Sequence, residues 1–132
     1  MEKGDPMDKH IRVLVANRPK LMREVIIATL VDQPDIEIVG EVAEDADILG
    51  HLEETLPDFL FIGLDDPEKR PAVCDTVLRL HPEVSIIAVA PHHNRSVRYW
   101  ASFDIHSSVL EASEEAILAV MRRRNAFAGE AS

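Results

Sequence analysis

Carboxylates, imidazoles and one thiol are the reactive side chains that stand out in this chain, and they fall in few places. Asp65 and Asp66 follow the apolar run Phe59-Leu60-Phe61-Ile62-Gly63-Leu64. Paired acids at the end of a buried strand can accept a group or hold a divalent cation. The plainer reading is a solvated acidic loop. Asp65 lies two residues past Gly63, so an extended chain turns both to one side. His92 and His93 are adjacent and, with loop acids, suit Zn²⁺ or Ni²⁺. Their spacing matches no established ligand motif, and two exposed loop histidines are expected, with no metal and no cofactor. Cys74 is the single cysteine. It excludes an internal disulfide framework, fits a reducing cytosol and reads as a small apolar helix residue. No Gly-rich phosphate loop follows a strand, and no nucleophile and base appear together, so no enzyme is expected.

The elements that must carry these residues follow from composition and periodicity. The chain has 132 residues, enough for one domain with its own core. Aromatics make up only 5%, so Val, Ile, Leu and Ala must build that core. The net charge of −10, from 24 acids against 14 Lys and Arg, argues against this domain gripping nucleic acid alone. The basic run Arg122-Arg123-Arg124 lies near the end of an expected helix, where it complements the helix dipole. No apolar run is long enough to cross a membrane, and the N-terminus lacks a secretory h-region, so a cytoplasmic location is expected.

Residues 1–10 read as a loose tail, 11–124 as the domain and 125–132 as a tail or the start of a linker. Strands are expected at Ile11–Ala16, Ile36–Glu41, Phe59–Leu64, Ser85–Ala90 and, weakly, Ser107–Leu110. Helices are expected at Lys20–Val31, Asp45–Leu56, Ala72–Leu80 and Arg95–Ser102, with a last one capped by Ser113 and opened by Glu114 and Glu115. Phe59–Leu64 is apolar without alternation, as in a strand covered on both faces. Five βα repeats mean an α/β doubly wound parallel sheet, flavodoxin-like, with strand order 2-1-3-4-5. Any site then lies at the carboxyl ends of strands one, three and four.

With those elements in order, the chain resembles the receiver domain of bacterial two-component response regulators, in the branch usually joined to a LuxR-type helix-turn-helix. The stretches that carry the likeness are Ile11-Arg12-Val13-Leu14-Val15-Ala16, Leu21-Met22-Arg23-Glu24, Pro34 to Glu41, Leu56-Pro57-Asp58 and His81-Pro82-Glu83-Val84. It extends over roughly Ile11 to Arg124. The resemblance implies a phosphorelay pocket: two acids and Mg²⁺, a phospho-accepting aspartate, a hydroxyl residue and a lysine.

Carried over by position, the acid pair falls on Asn17 and Arg18 and the acceptor on Gly63. The hydroxyl residue falls on Ala90, the lysine on Leu110 and the aromatic switch residue on Ser107. None keeps the required group. Glycine has no nucleophile, arginine repels Mg²⁺, alanine cannot donate to a phosphate and leucine cannot pair with one. Arg18 paired with Asp65 or Asp66 would set a fixed cation in the metal's place. The expectation is a degenerate receiver, or pseudo-receiver: a phosphorylation-independent interaction and regulatory module in bacterial signal transduction or transcription control. Two further readings are the N-terminal regulatory domain of a truncated LuxR-type DNA-binding regulator, and a small-molecule sensor using the vacated pocket. The implied partner is a protein or a second copy, a homodimer through helix four, strand five and helix five. Tyr99 and Trp100 fall on that fourth helix, and aromatics are enriched at interface hot spots.

Overall fold

The fold was obtained as a computed structural model, which describes residues 10–102 and 105–131, with side chains up to Arg123. The expected tail therefore lies outside the described residues except for His10. Six strands form one sheet in the order β2-β1-β3-β4-β5-β6. The first four are β1 (Ile11–Ala16), β2 (Ile36–Glu41), β3 (Phe59–Gly63) and β4 (Ser85–Ala90). They pair in parallel, Val13 beside Phe59 and Phe59 beside Ser85, with β2 on the outside of β1. Every residue of β4 and all of β3 except Gly63 are buried. That is the burial predicted by their unbroken apolar runs.

Helices cover both faces. Helix α2 (Ile48–Thr55), preceded by a 3-10 turn at Asp45–Asp47, and α3 (Ala72–Leu80) share one face. Their Ile48, Leu52, Cys74, Val77 and Leu78 pack with Leu14, Leu60 and Ile86. On the other face, α1 (Lys20–Val31) and α4 (Glu114–Ala131) bring Leu30, Ile117, Leu118 and Met121 against Val13, Val15, Phe59 and Phe61. Each fully buried Leu, Ile or Phe contributes about 1.5–3 kcal/mol, so the two layers hold the sheet from both sides. Ser113 caps α4 as expected, its Oγ accepting from the Ala116 amide at 3.1 Å. Helix α4 runs on to Ala131, through the stretch expected as a tail. Alanines in 125–131 explain why the helix need not stop at Arg124.

The receiver-like α/β architecture and the order 2-1-3-4-5 are present. One element differs in kind. The stretch expected as a helix over Arg95–Ser102 is a strand, β5 (Arg95–Ala101), antiparallel to β4. The expected fifth strand exists as β6 (Ile105–Glu111), but it pairs antiparallel with β5 and not with β4. The sheet is therefore mixed and gains a sixth strand. The cause is local. A 3-10 turn at Pro91–His93 leads into Asn94, whose φ of 50° reverses the chain. Asparagine tolerates this left-handed geometry better than most residues. After the reversal, Val97, Tyr99 and Ala101 point to the α2–α3 face, and Ser96 lies opposite. Val, Tyr and Trp fit such a pleated surface better than a helix.

Candidate functional site

The residues expected to form the receiver pocket lie at or near the carboxyl ends of β1, β3 and β4, with one exception. Asn17, directly after β1, is fully buried. Its Nδ2 donates to the Ile62 carbonyl at 2.9 Å, while Oδ1 has no hydrogen-bond partner among the described residues. The Asn17 carbonyl accepts from Arg23 Nη1 at 3.2 Å, and Arg23 reaches Glu41 at 3.7 Å. A position that would offer a metal ligand in an active receiver here ties two strands together.

Arg18 points away from the acids after β3. Its Nη2 donates to Asp45 Oδ2 at 3.0 Å, with both side chains about half exposed. The expected pair with Asp65 or Asp66 is replaced by one with Asp45, because the turn before α2 brings that carboxylate closer. Asp66 instead accepts from the Glu68 amide at 2.9 Å, and its carbonyl accepts from the Lys69 amide at 3.0 Å. It shapes its own turn, as an Asx residue commonly does. Asp65 is exposed. Among the described residues, neither joins a group of three metal-ligating side chains.

Gly63 carries the most information. A Cβ built on it would meet the Arg18 carbonyl oxygen at 2.9 Å and the Arg18 nitrogen at 3.3 Å. The obstacle is backbone, which cannot swing aside as a side-chain tip does. The loop after β1 therefore occupies the space that an acceptor side chain would need. The Arg18 backbone thus confines the space beside Gly63.

Ala90, fully buried at the end of β4, has Arg95 of β5 as its cross-strand neighbour. Leu110 is the exception in placement. It sits on β6, paired with Ser96, and packs against the α1–α4 core. Strand β5 thus stands between Leu110 and β4. A phosphate at the end of β3 would be one strand too far for a group at Leu110, whatever its chemistry. Sequence spacing gave Leu110 its lysine-equivalent position but could not show that an extra strand had been threaded before it.

A cleft of about 260 Å³ does open nearby, between α1 and α4. Met22, Ile26, Phe61, Val89 and Ile117 line it, and no Lys, Arg or His contributes to its wall. A wall that holds Glu114 and no cation is unsuited to phosphate. His92 and His93 are exposed on the turn after β4. Cys74 is buried, and desolvation pushes its thiol up to about 12, so it stays protonated and inert.

Of the two aromatics, Tyr99 is core. It is 3% exposed and packs with the α2–α3 layer, and burial raises its phenol. Trp100 is half-buried and stacks on His106 across the strands, ring centres 5.4 Å apart. The Arg98 guanidinium lies 4.6 Å from the same indole. The expected surface of helix four, strand five and helix five does not form, because its helix is β5. Sequence reasoning missed β5 as a strand. The signal was available in the β-rich alternation from Ser96 to Trp100 after a turn residue at Asn94.

No protein-family model matches the chain. Transcriptional regulatory protein BtsR of Salmonella typhi is 34% identical over 95 residues, covering 62% of this chain and 39% of the relative. BtsR of Escherichia coli (strain K12) is 33% identical with the same coverage. The chain spans about two fifths of the length of these relatives. Among solved structures, the signal receiver domain of NarL from Mycobacterium tuberculosis aligns with a TM-score of 0.55 at 24% identity. That match covers 64% of this chain and 68% of the other. The likeness to a receiver domain is thus one of fold, and the likeness in sequence is to transcriptional regulatory proteins.

Proposed function

We propose that this chain is a phosphorylation-independent pseudo-receiver, a protein-interaction module in bacterial signal transduction or transcription control. The observation that carries the reading is the closure of Gly63 under the Arg18 carbonyl, 2.9 Å from where a Cβ would sit. An active receiver stores its signal as an acyl phosphate on one side chain, neutralised by a cation. Here a side chain at Gly63 would have to displace the Arg18 backbone, and Leu110 lies a strand away from β4. On this reading, signalling passes through the surfaces of the domain.

The second reading is the regulatory part of a longer transcription regulator. It is favoured by the 39% share of the BtsR relatives that the chain covers. The two readings are compatible, because a pseudo-receiver can regulate an attached domain. The small-molecule reading gains no room at Gly63, where the Arg18 backbone lies close.

Intact-protein mass after incubation with acetyl phosphate and Mg²⁺ tests the proposal. The expected outcome is an unchanged mass. A phosphorylated species that depends on Mg²⁺ would overturn it.

A further inference from the structure

The cleft of about 260 Å³ between α1 and α4 involves none of the positions carried over from a receiver pocket. Its floor is Phe61 and Val89, both buried in the sheet, and its sides include Met22 and Ile26 of α1 and Ile117 of α4. Val25 also lines it and is 49% exposed, so apolar surface is left in water there. Apart from Thr29, the polar groups lie where the chain turns: Asn94 ahead of β5, and Ser113 and Glu114 at the start of α4. Glu114 is exposed and is the one charged residue of the wall among the described residues. Its Oε2 accepts from Gln33 Nε2 at 3.1 Å, which orients the carboxylate. An apolar hollow with a few convergent polar groups is the usual form of a small-molecule site. The positive end of α4 adds no place for an anion. Ser113 Oγ already takes the Ala116 amide, and Glu114 and Glu115 sit in the first turn.

We propose that this cleft binds a small aromatic amine, its ring against Phe61 and Met22 and its ammonium at Glu114. Size, shape and charge select that class. A dry apolar cavity of roughly 150 Å³ holds benzene. A cleft of about 260 Å³ therefore has room for one ring and a short side chain. A ring is favoured over an alkyl chain, because Phe61 offers an aromatic contact and the Met22 thioether packs well against π-systems. Met22 is also flexible, so it can follow the outline of a ligand. A carboxylate, sulfate or phosphate on the ligand would be repelled by Glu114 and would find no Lys, Arg or His in the wall. An ammonium has the Glu114 carboxylate as its partner and keeps its other protons in water, since Glu114 is exposed. The bound molecule touches α1, the turn at Asn94 and the start of α4, and so holds the three together. Gly63 does not line the cleft, so the site goes beyond the pseudo-receiver reading and needs nothing at the phosphoryl position.

Calorimetric titration of the full chain with phenethylamine tests it. One saturable site is expected, with a Kd of about 1 mM or lower. Phenylacetate carries the same ring with the opposite charge, and butylamine carries the charge without the ring. Neither should bind. Glu114→Gln should weaken phenethylamine about three- to fivefold, as for an exposed ion pair. Thr29→Phe fills the cleft and should abolish binding while circular dichroism stays native. Glu37→Gln removes a carboxylate on β2, outside the cleft, and should leave the Kd unchanged. A native chain without saturable binding overturns the proposal. So does equal binding of phenylacetate or butylamine, or binding that survives Thr29→Phe. An equal loss in Glu37→Gln and Glu114→Gln also overturns it, since that is general attraction of an amine to a chain of net charge −10. Intact mass after acetyl phosphate reads phosphorylation separately, so failure of either claim leaves the other standing.

Discussion

Two glycines separate a functional loss from a structural requirement. Cβ atoms built on Gly40 and Gly63 each meet a neighbour at 2.9 Å. At Gly40 that neighbour is Leu14 Cδ1, the end of a flexible side chain. At Gly63 it is the Arg18 carbonyl, which moves only with its loop. Alanine in a strand normally gains roughly 0.5–1 kcal/mol over glycine through a less costly loss of backbone freedom. Forcing a backbone shift costs about 1–3 kcal/mol, which outweighs that gain. Gly63→Ala should therefore lower stability in urea unfolding by about 1–2 kcal/mol, while Gly40→Ala should cost clearly less. Equal effects would show that the Arg18 carbonyl does not confine Gly63. Arg18→Ala should change stability by less than about 1 kcal/mol, because its pair with Asp45 is half exposed. The residue types at Asn17, Arg18, Gly63, Ala90 and Leu110 were legible in the sequence. Their new contacts were not, since spacing along a chain does not say which backbone lies above a Cα.

At the scale of elements, the sequence foretold β1 to β4 and the first three helices, because each has a clear period and a clear stop. It misplaced β5. The stretch expected as a helix, Arg95–Ser102, holds Val97, Tyr99 and Trp100, which favour a strand. Tyr99→Ala should cost about 3 kcal/mol, as for other large buried aromatics, measured by denaturant unfolding. An effect below about 1 kcal/mol would mean that Tyr99 lies outside the core.

Helix α4 offers a separate test. Arg122 donates to both carboxylate oxygens of Asp35, at 2.7 and 2.8 Å, and to Gln33 at 3.0 Å. The Arg122 guanidinium holds the Asp35 carboxyl below its ordinary value, against an opposing effect of burial. A carboxyl depressed on folding contributes stability above its unfolded pKa of about 3.9 and loses it as pH falls through the folded value. The pair is partly exposed, so its contribution is about 0.2–1 kcal/mol. Arg122→Gln should lower Tm at pH 7 and narrow its gap from the native protein below about pH 4. A gap independent of pH would remove Asp35 from the account.

At the scale of the molecule, the sixth strand and the displacement of Leu110 share one origin. The reversal at Asn94 inserts β5, and β5 moves Leu110 a strand away from β4. Strand β6 keeps the outer place expected of the fifth strand, and Val109 on it is exposed. The fold class was readable because parallel βα units repeat. The insertion was harder to read, because its evidence is one turn residue and seven residues of mixed propensity.

The most direct measurement concerns Gly63 itself. In Gly63→Asp the expected acceptor is restored, and Tm and intact mass can be followed with acetyl phosphate and Mg²⁺. The closed geometry predicts a lower Tm than the native protein and no phosphoryl uptake. A Gly63→Asp protein that keeps its native Tm and gains a phosphoryl group would contradict the central claim.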